Sequence, residues 1–279
     1  MMGLSFKKKI SHTIIYTILI ITTVFILYPV IWILTGSMNP GNSLFSTRLI
    51  PESLSFVHYQ YLFKETDYLL WYKNTLKIAF ANMILSTLLV VTAAYAFSRF
   101  RFPGRKQGLM TMLVLQMFPG FMGMIAIYIL LLQMNLLDNH WGLILLYSGG
   151  SIPFGAWLVK GYFDGFPKSL EEAAKIDGAS HMTIFYKIMM PLSKPILVFV
   201  AVTNFIGPWM DFIFAKLVLR SDEKKTLAVG LFEMVTGRGN TEFTNFAAGA
   251  VLVAVPITIL FLIFQGHLTE GLKAGANKG

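Results

Sequence analysis

The sequence predicts an all-α membrane protein with six transmembrane helices, on three observations. Apolar residues make up 55% of its 279 residues and charged residues only 13%, a balance outside the range of soluble domains. Mean hydropathy is +0.63. Six segments are long enough to cross a hydrocarbon core, which takes roughly 17 to 25 helical residues. Zero cysteines exclude a disulfide framework, a thiolate metal site and a cysteine nucleophile.

Residues 13–35 are the first predicted span. The "KKK" ahead of it also suits a secretory signal, but the run exceeds the roughly 7 to 15 residues of a signal core and lacks an A-x-A site. An uncleaved span is therefore expected. Residues 36–73 follow on the outer side, and their aromatic "FVHYQYLF" predicts an amphipathic element on the membrane surface. Segments 78–97, 108–137 and 246–264, like 13–35, carry no charged residue. Two further spans, 141–159 and 195–219, are weaker: one is rich in Gly and Ser, and the other holds Asp211 and Lys216. Pro103 and Gly104 mark a turn in the short basic loop "SRFRFPGRK". Residues 138–140 leave room only for a tight connection, whereas 220–245 can project.

The net charge of +9 raises nucleic acid as a partner. Fourteen Lys and Arg fall on the N-terminal side of the membrane, however, and seven on the opposite side. The inside-positive bias explains that imbalance as topology. Both termini are expected in the cytoplasm, membrane lipid is the expected surrounding, and nucleic-acid binding is not expected.

Between spans four and five lies "SLEEAAKIDGASHMTIFYKIMMPLSKP". Ser169 with Glu172 three residues on reads as a capping box that starts a short helix. Leu170, Ala173, Ala174 and Asp177 share one face of it, and the alanines permit close approach. Gly178 is placed to end that helix in the left-handed region. Ser180 then caps a second helix with an apolar stripe of Met182, Phe185, Ile188 and Met189, ended by Pro191. This is a helix-turn-helix elbow on the cytoplasmic side. Periodicity alone reads it equally well as an amphipathic loop resting on the bilayer.

The spacing is more specific. E-A-A, three residues, Gly, nine residues, I-x-x-P resembles the cytoplasmic loop of bacterial ABC importer permeases. Glu172, Ala173, Ala174, Gly178, Ile188 and Pro191 match, with Met190 in place of the family leucine. "KKTLAVGLF", "FAAGAVLVAVPITILFLIFQ" and "LTEGLKAGANKG" also resemble the shorter permease of the maltose and maltodextrin importers. The resemblance implies one permease domain over 1–279, with a core at about 73–266, a coupling loop at 167–195 and a cytoplasmic tail at 267–279. It implies half of a pore in the bacterial cell membrane, completed by a second, longer permease, an ATPase dimer and an extracytoplasmic sugar-binding protein. The solute it implies is maltose or maltodextrin, with galacto-oligosaccharide or another sugar as the alternative.

By the same resemblance Glu171, Glu172, Ala173, Ala174, Asp177, Gly178, Ile188 and Pro191 carry coupling to the ATPase. Gly271, Gly275 and Lys278 in the tail reach the ATPase interface, where composition alone reads a frayed end. Gly237, Arg238, Gly239 and Asn240 probe the binding protein, where composition reads only a turn. ATP and Mg belong to the partner ATPase. This chain has no G-x-x-x-x-G-K-[ST] loop, its five histidines lack ligand spacing, and it has no nucleophile elbow. No catalytic residue, cofactor or metal is expected on it.

Polar groups within spans are functional candidates by default. Asn204, Trp209 and Asp211 are candidates for the substrate path, although Asp211 and Lys216 also suit the interface and Trp209 an aromatic belt. Pro119, Pro153, Pro208 and Pro256 interrupt spans and free backbone carbonyls. An ion-coupled secondary transporter is the rival class. It predicts carboxylates at the midplane and inverted repeats, and the sequence offers neither.

Overall fold

A computed structural model describes residues 2–41, 51, 53–236 and 242–276, with the stretches 2–10 and 270–276 described through their backbone alone. Among them every regular element is helical. In chain order these are α1 (Met2–Ser37), α2 (Val57–Glu65), α3 (Tyr68–Arg99), α4 (Arg105–Gln116), α5 (Met124–Gln133) and α6 (His140–Asp164). The shorter α7 (Lys168–Ile176), α8 (His181–Ile184) and α9 (Met190–Leu192) follow, then α10 (Lys194–Met210), α11 (Ile213–Val218), α12 (Leu227–Thr236) and α13 (Phe243–Ala276).

Four straight helical stretches are long and apolar enough to cross a membrane: Ser11–Ser37, Tyr68–Arg99, His140–Asp164 and Phe243–Thr269. Two bent pairs raise the count to six, Arg105–Gln116 with Gly120–Gln133 at 91° and His181–Leu192 with Lys194–Met210 at 80°. The span expected at 108–137 is the first of these bent pairs, and the span expected at 195–219 is corrected to one that ends at Met210. Pro119 lacks the N–H that would carry the first through, and the chain turns there into a 3₁₀ segment, Gly120–Gly123. The second stops at Met210 because Asp211 takes extended backbone, and its carboxylate accepts the N–H groups of Phe214 and Ala215 at 3.3 and 3.0 Å to start α11. The surface element expected in 36–73 contains the helix α2.

The chain divides into two compact units, Met1–Asp67 with Leu231–Ala254, and Tyr68–Gly230 with Val255–Gly279. Within the first, Ser37 and Tyr59 share a hydrogen bond of 2.7 Å, and His58 Nδ1 lies 2.6 Å from Asn245 Oδ1. The second holds the larger core, in which α3 packs along both α6 and α10. Close approach depends on Gly155 of α6, where an added Cβ would fall 2.7 Å from Val90 of α3.

A polar knot sits inside that apolar core. Pro208 interrupts α10 and has no N–H for the carbonyl of Asn204, four residues earlier. Asn82 of α3, 2% exposed, donates its amide to that carbonyl at 2.7 Å. Its own oxygen accepts the hydroxyls of Ser86 at 2.8 Å and Ser148 of α6 at 3.1 Å. One amide therefore joins three helices and satisfies the carbonyl that the proline freed. α1, α6, α10 and α13 each contain a proline, whereas α3 contains neither Pro nor Gly.

The short α5–α6 connection is pinned by Asp138, a non-glycine residue at φ 52. Its carboxylate accepts the Ser221 hydroxyl and the N–H groups of Ser221 and Arg220 at 3.0 and 2.9 Å, and Lys224 Nζ lies at 3.2 Å. The Ser221 hydroxyl is the largest of the causes that hold this carboxyl well below the usual carboxylate range. A depressed folded value stabilises the fold above the ordinary carboxylate range and loses that contribution as pH falls through the folded value. Asp138→Asn should cost about 1–3 kcal/mol at pH 7, and chemical unfolding in detergent should show the gap to wild type narrowing as the pH drops below about 4. Asn82→Ala should cost a similar 1–3 kcal/mol by orphaning the Asn204 carbonyl. In a Pro208→Ala background the restored backbone N–H takes that carbonyl, so the loss measured there should be smaller; an equal loss would deny the knot its role.

Candidate functional site

The elbow at 167–195 is built from local signals, and some differ from those the sequence suggested. Pro167, at φ −59, occupies the N-cap position of α7, and no side chain caps the helix. Ser169 therefore lies inside the first turn, and the Ser169–Glu172 capping box does not form. Ser180 behaves as read, with its hydroxyl accepting the Thr183 N–H at 3.2 Å. At the other end of α7, Gly178 adopts φ +82. The N–H groups of Gly178 and Ala179 return to the carbonyls of Lys175 and Ala174 at 3.0 and 2.9 Å, closing a Schellman turn.

Beyond α8 the helix widens into a π segment, Phe185–Met189, before Pro191 in α9. Pro191 does not end the helix, as the sequence suggested, because the wider turn accommodates a residue that cannot donate to the usual carbonyl. The extra residue also shifts the buried stripe. Ile184, Phe185 and Met189 are buried with Ile188 packed beside them, whereas Met182 is 60% exposed. The expected place of Met182 in that stripe is thus taken by Ile184.

The elbow is fastened by a residue that the sequence reading counted only as a topology charge. Arg99 ends α3, and its Nε donates to Glu171 Oε1 at 2.5 Å. Both side chains are 9% exposed. Arg99 Nη2 donates to the Phe163 carbonyl at 2.9 Å, one of the last carbonyls of α6, which have no partner within their own helix. Nη1 donates to Ser98 Oγ at 2.6 Å, and Ser98 in turn donates to Asp164 at 2.5 Å. Lys160 closes the group on Asp164, also at 2.5 Å. The guanidinium fork thus gathers the ends of α3 and α6 and the first turn of α7 around one charge pair.

That arrangement separates the two acids of the motif. Glu171 faces inward and is 7% exposed, while Glu172 and Ala173 are exposed and Ala174 packs against the core. Ile176 is 86% exposed on the outer surface of α7 and was not singled out in the sequence. A short helix that is anchored inward by an ion pair and shows small and apolar residues outward suits docking more than catalysis. Among the described residues, no group of three or more His, Asp or Glu converges as metal ligands would.

The remaining candidates lie elsewhere. Trp209 is 4% exposed, edge-on to Tyr72 with centroids 5.2 Å apart, and its indole N–H has no partner among the described residues. Asp211, besides capping α11, accepts the Tyr147 hydroxyl at 2.5 Å. Asn204 donates its amide to the Val200 carbonyl of its own helix at 2.8 Å. These three belong to the α10 side of the core and are not brought to the elbow. Gly271 and Gly275 fall within α13, while Lys278 and the loop 237–240 lie outside the described residues.

Residues 86–274 match the family described as binding-protein-dependent transport system inner membrane component. The chain is 46% identical over 276 residues to the galactooligosaccharides transport system permease protein GanQ of Bacillus subtilis, covering 98% of both. It is 40% identical over 278 residues to the maltodextrin transport system permease protein MdxG of the same organism, covering 100% of both. Its fold is similar to that of a chain from a bacterial ABC transporter involved in the import of the acidic polysaccharide alginate. There the TM-score is 0.80 at 26% identity, over 92% of this chain and 96% of that one.

Arg99→Ala should leave Glu171 buried without a counter-charge and cost about 3–5 kcal/mol. Limited proteolysis of the purified protein should then cut within 165–180 far faster than in wild type. Adding Glu171→Gln should recover most of the protection, which loss of packing alone would not allow.

Proposed function

We propose, on the premise that the chain belongs to the family of binding-protein-dependent transport system inner membrane components, that the elbow is where this sugar-importer permease is moved by its ATPase. The chain is a permease subunit of an ABC importer for sugars, similar over nearly its whole length to permeases for galactooligosaccharides and maltodextrin. In this reading it crosses the bacterial cell membrane six times with both termini in the cytoplasm, which the inside-positive charge balance supports. Its whole length forms one permease domain, with the loop 167–195 and the tail from 267 on the cytoplasmic side. A second permease completes the pore, and an extracytoplasmic binding protein delivers an oligosaccharide of the maltodextrin or galacto-oligosaccharide kind. ATP and Mg sit on the separate ATPase dimer, and this chain contributes no hydrolytic group.

The observation that carries the reading is the buried Arg99–Glu171 pair, which ties α7 to the ends of two membrane-crossing helices. Nucleotide-driven closure of the ATPase moves a helix docked on Glu172, Ala173 and Ile176. That motion enters α3 and α6 directly, because α7 cannot shift without drawing Arg99 with it. Asp177 and Gly178 set the turn between the elbow's two helices, and Ile188 and Pro191 lead the chain into α10. Gly271, Gly275 and Lys278 provide a second contact with the ATPase. Gly237, Arg238, Gly239 and Asn240 meet the binding protein, and Asn204, Trp209 and Asp211 line the α10 side of the path.

The test is ATP hydrolysis by the reconstituted four-part complex with its binding protein, with maltotriose or galactotriose as stimulant. Ala173→Glu places a charge on an exposed position and should leave this chain folded. Stimulation should fall by about tenfold or more, the cost of one buried unpaired charge at a docking face. Full stimulation in the variant would reduce the elbow to a surface loop, and absence of any copurifying ATPase would overturn the importer reading.

A further inference from the structure

A seam between α4 and α6 joins two cavities of opposite character. One, about 420 Å³, extends from Arg105, Lys106 and Lys160 to Leu109, Met110 and Trp157. The other, about 480 Å³, shares Arg105, Lys160 and Asp164 with it and is lined by six Lys or Arg side chains against three Asp or Glu. Past Trp157 the apolar side continues as an open groove beside Leu113, Met117 and Phe154.

Of the three acids at the basic end, Asp164 is engaged by Ser98 and Lys160 and Glu171 by Arg99, while Glu172 makes no hydrogen bond or ion pair among the described residues and offsets one of the six cations. Lys106 makes no hydrogen bond or ion pair among the described residues, so positive charge is left over where the two cavities meet. The apolar end is equally uncovered: Met110 is 55% exposed, Trp157 48%, Phe154 51% and Met117 81%. On each helix the lining residues recur at three- and four-residue spacing, Lys106, Leu109, Met110 and Leu113 on α4 with Met117 at its C-cap, and Phe154, Trp157 and Lys160 on α6. From Lys106 to Met117 is about 16 Å of helix, close to half of a hydrocarbon core roughly 30 Å thick.

Cations at one end and apolar surface for the depth of one leaflet fit an amphiphile with a negative headgroup. A soluble anion would use only the basic end, and a purely apolar partner helix would leave the surplus charge unanswered. We propose that the α4–α6 seam binds an anionic phospholipid, with its phosphate at Arg105 and Lys106, beside the Lys160–Asp164 pair, and one acyl chain along Met110, Trp157 and Phe154. Its place in the cytoplasmic leaflet rests on the orientation given under Proposed function; the binding itself does not.

Trp157 reports on the seam directly. The full complex is placed in bilayer discs of phosphatidylcholine doped with either phosphatidylglycerol or phosphatidylcholine that carries bromine on its acyl chains. Quenching of Trp157 is taken as the difference between wild type and Trp157→Phe. Brominated phosphatidylglycerol should quench at a mole fraction about tenfold lower than brominated phosphatidylcholine, the advantage expected of two or more uncompensated basic groups. Arg105→Gln with Lys106→Gln should abolish that advantage while leaving fluorescence in undoped discs unchanged. Equal quenching by both lipids would overturn the proposal in favour of ordinary boundary lipid. Quenching by neither would overturn it in favour of a protein partner covering the seam. No arm depends on transport or hydrolysis, so failure here and failure of the coupling experiment are separate results.

Discussion

The Arg99–Glu171 pair is the constraint on which this end of the molecule depends. A charge buried at the mouth of a helix bundle is tolerated only when it has a counter-charge and its remaining donors have acceptors. Arg99 meets that condition with three partners: the Glu171 carboxylate of α7, the Phe163 carbonyl near the end of α6 and the Ser98–Asp164 bridge. α7 has nine residues, too few to hold a helix in water by itself. Its shape therefore depends on this anchor and on the packing of Ala174 and Ala179 against the core. The same anchoring leaves the outer face of α7 free, and for that reason a partner can move it as one body.

Deeper in the core the governing demand is the satisfaction of backbone groups away from water. Proline frees a carbonyl one turn before it, and within a bilayer that carbonyl must find another donor. Asn82 supplies one to Asn204 and at the same time accepts from Ser86 and Ser148. The kink at Pro208 and the polar side chain on α3 are thus two halves of one device. Close packing at Gly155 brings α6 near enough for its serine to join.

Much of this was legible wherever the signal was local. Gly178 and Ser180 announce their conformations within a few residues, because a left-handed turn needs a residue without Cβ and an N-cap needs a short hydroxyl. The spans were legible from composition and Pro119 as an interruption, though the 91° bend there and the stop before Asp211 were not, since a proline shows where a helix falters but not through what angle. The capping box failed because Pro167 started the helix two positions earlier than the serine suggested. The buried stripe kept Phe185 and Met189 but took Ile184 in place of Met182, because a π turn does not advance at the ordinary helical period. Arg99 stayed hidden for another reason: its partner is 72 residues away, and at the end of a span an arginine looks like any other inside-positive charge.

α3 carries both knots, and it is the long helix without proline or glycine. Under the coupling proposed above, a rod of that kind would act as a lever with Asn82 as its fulcrum. Arg99 stands about 25 Å from that point on one arm and Tyr68 about 21 Å on the other. A sideways pull at one tip therefore reappears at the far tip reversed in direction and reduced only by about a sixth. On that proposal, motion entering at the elbow would arrive at Tyr68 nearly undiminished, with no intermediate part needing to change its fold.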